Sequence, residues 1–222
     1  SSKKQKSKEK KLSVKLFQRD FNRYIKPSLH RPHRGPKPKV SYYKIFNYIL
    51  YVLHTGIQWK QLPVSRKEIS WQTVYHYHNR SSKDGSYRKL FESSLFTLDR
   101  KGMLDLSMLH GDGTNIVAKK GVENRILGTQ TSEGEKTLAI AENHGYILAP
   151  YIVRPVNVHD NLLFDSSFTE LLESMNRPGI SLVGSYLTLD PGFDDGKNRN
   201  QIEYANLIPV IKPNLRGLKD RE

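Results

Sequence analysis

The sequence predicts a helical N-terminal region followed by a mixed sheet of the α+β or α/β class. Apolar residues recur at helical spacing between residues 40 and 100, which is typical of amphipathic helices. After residue 101 they alternate or form short continuous runs, which is typical of strands. A basic stretch with little apolar content precedes both regions. We therefore expect a flexible basic arm over 1–39, a helical domain over 40–100 and a sheet domain over 101–222.

Turn and capping residues mark the ends of the predicted helices. One helix is expected over 41–54 with Gly56 stopping it, and a second begins after Ser70 as its N-cap. A third is expected over 85–98, with Leu90, Leu95 and Phe96 facing inward, and a helical stretch around 12–24 precedes all three. Helices separated by turns indicate either a helix-turn-helix-like unit or a plain small bundle. We assign Trp59 and Trp71 to packing in this region.

The second region is predicted to run strand, strand, strand, helix, strand, helix, strand. The expected strands are 108–119, 136–142, 146–157, 181–190 and 207–212, with a hairpin turn at 143–145. The expected helices are 161–175, with Asp160 as its N-cap, and 195–206. Because a helical crossover normally returns the chain parallel, the sheet should be mixed.

Charge is concentrated at the start of the chain. The formal net charge is +14, and residues 1–39 hold fourteen Lys or Arg against Glu9 and Asp20. Such a block favours a polyanion by releasing condensed counterions, which points to nucleic acid as the partner. The alternative is a solvated tail that aids solubility.

Composition excludes several classes of protein. The absence of cysteine excludes a disulfide scaffold and any thiolate metal site, and fits a reducing compartment. No apolar run approaches the roughly 20 residues that a membrane span needs, and no signal-peptide pattern begins the sequence. We therefore expect a cytoplasmic protein without a membrane partner.

Two aspartates are candidates for metal chemistry. Asp112 lies in the first predicted strand and Asp190 ends the fourth, so their carboxylates would meet if these strands pair. Carboxylate oxygens are the hard ligands that Mg²⁺ or Mn²⁺ requires, and such ions can promote displacement at a phosphodiester. The alternative is that Asp-Gly and Asp-Pro-Gly are ordinary turn sequences.

Several short motifs follow one another over most of residues 43–215. They are IFNYIL at 45–50, TGIQW at 55–59, WQTVY at 71–75, DGT at 112–114, AKKG at 118–121, NVHD at 157–160 and DPGFD at 190–194. In this order the chain resembles the prokaryotic insertion-sequence DDE transposases, in the group with a compact helical N-terminal domain. It departs from the family pattern at Val122, where a second glycine usually follows Gly121.

The resemblance implies a ribonuclease H-like fold with Asp112 and Asp190 as the first two catalytic, metal-binding acids and Mg²⁺ or Mn²⁺ as cofactor. It implies binding to terminal inverted repeats, DNA cleavage and strand transfer to target DNA, with the protein associated with the prokaryotic nucleoid. A homodimer on DNA is expected because two transposon ends must be brought together. The expected DNA contacts are Gln72, Thr73, His76 and Arg80 on the middle helix, Arg31 and Arg34 in the arm, and Lys119 and Lys120 beside the acids.

The third acid of the family is a Glu on a helix after the last strand. Neither Glu222, at the end of this sequence, nor Glu203, before the last strand, is expected to replace it. We therefore expect an incomplete ribonuclease H-like domain that lacks its last helix and has little or no cleavage activity by itself. Two alternatives stay open: a non-enzymatic DNA-binding remnant or regulator, and a metal-dependent nuclease of the same fold.

Overall fold

The structure is a computed structural model that describes residues 15–30, 40–65, 67–117 and 134–213. The chain divides into two compact units, Ser1–Ser93 and Ser94–Glu222, and the division falls within the helix Ser86–Arg100. The first unit is helical and the second is built around a five-stranded sheet. The predicted succession of a helical region and a mixed sheet is confirmed.

Helix ends in the N-terminal unit follow the capping residues. The helices are α1 Gln18–Asp20, continued by a π-helical stretch Phe21–Ile25, then α2 Tyr42–Thr55, α3 Trp71–Lys83 and α4 Ser86–Arg100. The Ser70 hydroxyl accepts from the backbone N–H of Thr73 over 3.2 Å, as expected of an N-cap. Gly56 ends α2 with a left-handed φ of 67°, a conformation that glycine adopts without strain. The predictions at Ser70 and Gly56 are confirmed.

The core of the N-terminal unit centres on Val74 of α3, which is fully buried. Its other buried members come from α2 and the loops on either side: Val40, Ile45, Tyr48, Ile49, Val52, Leu62 and Ile69. Trp59 and Trp71 pack against this cluster, as predicted.

The expectation for α4 was wrong in part, since Leu95 is buried but Phe96 is 48% exposed. Successive helical residues are turned by about 100°, so these two neighbours cannot share one face.

The C-terminal unit contains the strands β1 Met108–Val117, β2 Gly134–Glu142, β3 Val153–Pro155, β4 Tyr186–Leu189 and β5 Ile208–Ile211. Their order in the sheet is β3-β2-β1-β4-β5. β1, β2 and β3 pair antiparallel, whereas β4 runs parallel to β1 and β5 runs parallel to β4. The helices α5 Asp160–Asn176 and α6 Gly196–Tyr204 make the crossovers. The predicted mixed sheet is confirmed.

One face of this sheet packs against α5. Leu138 and Ile140 of β2 are buried on this face, together with Leu109 of β1 and Leu187 of β4. Phe164 and further apolar residues of α5 are buried with them, and their burial supplies the main stabilisation of the unit. Side chains alternate along a strand, so His110, Asp112, Thr188 and Asp190 belong to the opposite face, which we name the acidic face.

Two predicted strands are shorter than expected. The third, expected over 146–157, covers only Val153–Pro155, and before it only the bridge from Ile147 to Ala141 continues the pairing. Pro150 has no N–H to donate to a ladder, which explains the interruption. The fourth begins at Tyr186 because Gly184 has a left-handed φ of 82°. The predicted hairpin turn at 143–145 is confirmed, with Gly145 at φ 87°.

The predicted N-cap of α5 was wrong by one residue. His159 has the extended backbone of an N-cap, and its Nδ1 accepts from the backbone N–H of Asn161 over 3.2 Å. Asp160 is the first helical residue instead. Its carboxylate accepts from Lys136 Nζ of β2 over 2.5 Å, and this ion pair gives the aspartate a partner stronger than a backbone amide.

Candidate metal centre and nucleic-acid surface

Asp112 and Asp190 both belong to the acidic face, just beyond the last pair of the β1–β4 ladder. Asp112 belongs to β1 and pairs with Ala139 of β2, and Asp190 directly follows β4. The parallel register sets Met108 opposite Tyr186 and His110 opposite Thr188, and the ladder ends there. Continued by two residues, the same register would set Asp112 opposite Asp190. Both side chains are exposed. The pairing of the first and fourth strands, on which the expected juxtaposition depended, is confirmed.

Two glycines around Asp112 allow β1 to lie close to its neighbours. A Cβ at Gly111 would stand 2.4 Å from Leu189 Cδ2, and a Cβ at Gly113 would stand 3.3 Å from the Phe193 ring. Leu189 precedes Asp190, and Phe193 ends the short 3₁₀ turn Pro191–Phe193 that follows it. The Gly-Asp-Gly sequence therefore brings β1 against both flanks of Asp190.

A polar network fixes the turn that carries Asp190. Asn198 of α6 donates to the Phe193 carbonyl over 2.9 Å and to Asn161 Oδ1 of α5 over 3.1 Å. Asn161 in turn donates to Asp195 over 3.0 Å. Hydrogen bonds from the Lys197 backbone and from Asn161 lower the pKa of Asp195. This network was not predicted; the only signal in the sequence was a run of Asn and Asp residues at two helix starts.

A second polar network surrounds the turn after β2. The Glu142 carboxylate is buried, and although burial raises its pKa, backbone N–H groups of Tyr146, Asp105 and His144 lower it further than burial raises it. Hydrogen bonds from Ser107 and Asn143 lower the pKa of Asp105 to about 2. These charged acceptors bind the turn after β2 to the segment that precedes β1.

The donor set fits Mg²⁺ or Mn²⁺ in kind. Asp112 and Asp190 supply two exposed carboxylates, and Mg²⁺ is commonly held by one or two carboxylates together with waters and substrate phosphates. Within the described ranges, no group of three or more His, Cys, Asp or Glu could hold a metal ion. Glu203 is exposed on α6, and Glu222 lies outside the described residues. Within the described residues, Asp112 and Asp190 are therefore candidate ligands without a third acid.

The predicted DNA contacts on α3 differ in exposure. Gln72, Thr73 and His76 are exposed on its outer face. Arg80 is half-buried, with its guanidinium 5.4 Å from the centre of the Tyr77 ring and its Nε 3.9 Å from Asp84 Oδ2. A DNA contact by Arg80 therefore competes with these intramolecular contacts. The other predicted contacts, Arg31, Arg34, Lys119 and Lys120, lie outside the described residues.

The N-terminal unit matches a known family. Residues 20–91 match the family model described as "Putative transposase of IS4/5 family (DUF4096)". The resemblance to insertion-sequence transposases is confirmed. The match covers α2 and α3, whose motifs carried that resemblance, and ends within α4. Among curated proteins, none matches this chain.

The chain is also similar to solved structures of the Mos1 transposase. It aligns with a pre-cleavage Mos1 transpososome at 11% identity and a TM-score of 0.36, covering 84% of this chain and 63% of that one. With a Mos1 paired-end complex with Mn, the identity is 13% and the TM-score 0.33, over 86% of this chain and 64% of that one. With the Mos1 strand transfer complex, the identity is 14% and the TM-score 0.32, over 88% of this chain and 65% of that one. The chain thus spans just under two-thirds of the length of these transposase chains.

None of the helices in the described ranges combines the length and apolar character that crossing a membrane requires.

Proposed function

We propose that this chain acts as a DNA transposase that binds terminal inverted repeats and carries out metal-dependent cleavage and strand transfer. The observation that supports the proposal is the parallel pairing of β1 and β4, whose register, continued by two residues, would bring Asp112 opposite Asp190 on the acidic face. It stands beside a transposase-family match over residues 20–91. Two adjacent exposed carboxylates would repel a DNA phosphate, so they suit DNA chemistry only if a cation lies between the acids and the DNA.

The roles of the two aspartates follow from this arrangement. Asp112 and Asp190 would hold Mg²⁺ or Mn²⁺ through carboxylate oxygens, on two strands whose hydrogen bonds fix their separation. When bound, such an ion activates an attacking water or hydroxyl and stabilises the leaving oxygen of a phosphodiester. The glycines on either side of Asp112 and the network around Phe193 keep the carboxylates in position.

DNA recognition is assigned to the N-terminal unit. Gln72, Thr73 and His76 present hydrogen-bonding groups from one exposed face of α3, which suits contact with base edges in a groove. The fourteen Lys and Arg of residues 1–39 supply sequence-independent attraction to phosphates. The proposed partners are the terminal repeats and target DNA, with two copies of the chain bringing two ends together. The proposed setting is the prokaryotic nucleoid.

A second candidate function is a DNA-binding regulator that occupies transposon ends without cutting them. It is favoured by the ligand count, since the described residues contain no group of three or more His, Cys, Asp or Glu that could hold a metal ion. Under this reading the helical unit keeps its affinity for DNA, whereas the sheet unit binds cations too weakly for catalysis.

The test is a cleavage and strand-transfer assay with Mg²⁺ or Mn²⁺ on DNA carrying the terminal repeats that flank the gene. It compares this chain, and a version extended by any downstream reading frame, with Asp112→Asn and Asp190→Asn. Glu203→Gln is the matched control, because Glu203 is an exposed acid of the same unit. The proposal predicts cutting and joining by the extended version, which either aspartate substitution abolishes and Glu203→Gln leaves unchanged.

The other outcomes separate the alternatives. Cleavage without joining would identify a nuclease of the same fold. Specific DNA binding with no metal-dependent cleavage in either version would contradict the enzymatic proposal and support the regulator.

A further inference from the structure

A set of side-chain contacts crosses from β4 to β1 on the acidic face, directly before the two carboxylates. The Thr188 hydroxyl donates to the carbonyl oxygen of Leu109 over 3.1 Å. The same hydroxyl oxygen lies 3.1 Å from Nδ1 of His110. Because the hydroxyl proton is used on Leu109, the imidazole donates to Thr188 through its Nδ1–H. Thr188 thus binds the backbone and a side chain of β1 at once.

This contact stands where the backbone pairing of the two strands ends. The ladder between β1 and β4 runs from Met108 opposite Tyr186 to His110 opposite Thr188. Asp112 and Asp190 each follow the last pair by two residues, on the same face of the sheet. The contact between His110 and Thr188 is therefore the last recorded step of the ladder before the carboxylates.

The imidazole of His110 has a second polar neighbour. Its Nε2 lies 3.4 Å from Oδ1 of Asn143 in the turn after β2. The amide nitrogen of Asn143 donates to Asp105 over 2.8 Å, which fixes which end of the amide faces His110. With Nδ1 as the donor to Thr188, Nε2 of a neutral ring is an acceptor and cannot donate to this amide oxygen, so the orientation of His110 depends on its bond to Thr188.

We propose that Thr188 and His110 are positioning residues that set the separation of Asp112 and Asp190 for a shared divalent cation. The inference rests on the proposed function, because it concerns the same pair of acids. A cation held by two carboxylates depends on the distance between them, and groups that orient ligands through hydrogen bonds contribute to metal affinity. Thr188 and His110 do so by binding one strand to the other immediately before the acids.

The experiment measures Mn²⁺ affinity of the full chain by electron paramagnetic resonance of free Mn²⁺, with thermal unfolding of each variant alongside. Thr188→Val replaces the hydroxyl by a methyl of similar size, whereas Thr188→Ser keeps the hydroxyl. We expect Thr188→Val to weaken Mn²⁺ binding by roughly tenfold, the low end of the loss seen for groups bonded directly to metal ligands, because Thr188 acts on the strands and not on the carboxylates. Thr188→Ser should bind close to the unchanged chain, which a loss of packing alone would not produce.

A second pair of variants keeps the proposal testable if Thr188→Val does not fold. His110→Ala removes the donor, whereas His110→Asn keeps an N–H donor near the position of Nδ1. The proposal expects weakened Mn²⁺ binding for His110→Ala and recovery in His110→Asn. If His110→Ala weakens binding while a folded Thr188→Val does not, His110 is itself a ligand and the positioning role is overturned.

The result also separates this inference from the proposed function. Mn²⁺ binding lost in Asp112→Asn but unchanged in folded Thr188→Val and His110→Ala would overturn the inference and leave the proposed site standing. Mn²⁺ binding unchanged in Asp112→Asn would overturn the site, and the positioning role with it.

Discussion

The two units hold their candidate functional residues in different ways. In the N-terminal unit, Gln72, Thr73 and His76 share a surface because they lie on one turn and a half of the same helix. In the C-terminal unit, Asp112 and Asp190 are far apart in the chain and come to neighbouring strand ends only because β4 pairs with β1. Local spacing decides the first surface, and tertiary pairing decides the second. Changes that loosen packing should therefore affect the acidic pair more than the face of α3.

The largest expected effect comes from the strand that carries Asp190. Leu187 of β4 is fully buried, so Leu187→Ala should lower the free energy of unfolding by about 2–5 kcal/mol, through lost burial and the cavity left behind. Ile208→Ala, at a 42% exposed position of the neighbouring strand, should cost far less. Urea unfolding of both variants measures the difference. Equal losses would contradict the assigned core of the sheet.

A smaller effect is expected from overpacking beside Asp112. Gly111→Ala places a methyl 2.4 Å from Leu189, and forcing the two apart should cost about 1–3 kcal/mol. Gly196→Ala is the control, because a Cβ there meets nothing within 4 Å and φ is not left-handed. Thermal unfolding of the two variants compares them. A Gly111→Ala protein as stable as the control would show that β1 and β4 are less closely packed than described.

The local support of α3 can be tested at its N-cap. Ser70→Ala removes the acceptor for the Thr73 N–H and should cost about 0.5–2 kcal/mol, whereas Ser70→Asp keeps an acceptor. We expect Ser70→Ala to weaken DNA binding modestly while Mn²⁺ affinity stays unchanged. Unfolding and DNA-binding titrations check both points. A loss of Mn²⁺ affinity would contradict the view that the two sites are held independently.

The smallest effect is a pH dependence in the N-terminal unit. The His78 ring lies 5.0 Å from Trp59, and its Nδ1 is 2.9 Å from the Tyr87 hydroxyl. Burial lowers the pKa of His78 below its usual 6.5. A depressed pKa means that the unfolded chain binds the proton more readily, so this contribution to stability is complete above about pH 6.5 and declines as the pH falls.

His78→Gln should make unfolding less dependent on pH below about 6.5, whereas His54→Gln, at an exposed position, should not. The measurement is the free energy of unfolding as a function of pH for both variants. An unchanged pH dependence in His78→Gln would remove His78 as its source.

Local signals predicted the helical unit well, because its ends depend on single residues. Ser70 and Gly56 occupy the ends that their capping chemistry favours. The inward assignment of Phe96 failed because Phe96 is turned by about 100° from its neighbour Leu95, and only Leu95 faces inward. Such an error is local and leaves the rest of the unit unchanged.

The succession of strands and helices along the chain and the mixed sheet were also predictable, because a helical crossover normally returns the chain parallel. The pairing of the first and fourth strands entered only as a condition of the predicted site. The contact between His110 and Thr188 was not predicted, because the two residues come from separate segments and nothing in the sequence near either identifies the other. Two other differences have causes elsewhere in the chain. β3 is short because Pro150 interrupts the pairing before it. His159 takes the capping role because Asp160 pairs with Lys136 of β2.

The most direct test of the central claim is a double-mutant cycle of Mn²⁺ affinity with Asp112→Asn, Asp190→Asn and both together. If the two carboxylates hold one ion, each single change should weaken binding and the double change should weaken it by less than the sum of the two in free energy. Additive effects, or no effect of either change, would contradict a shared site on the acidic face.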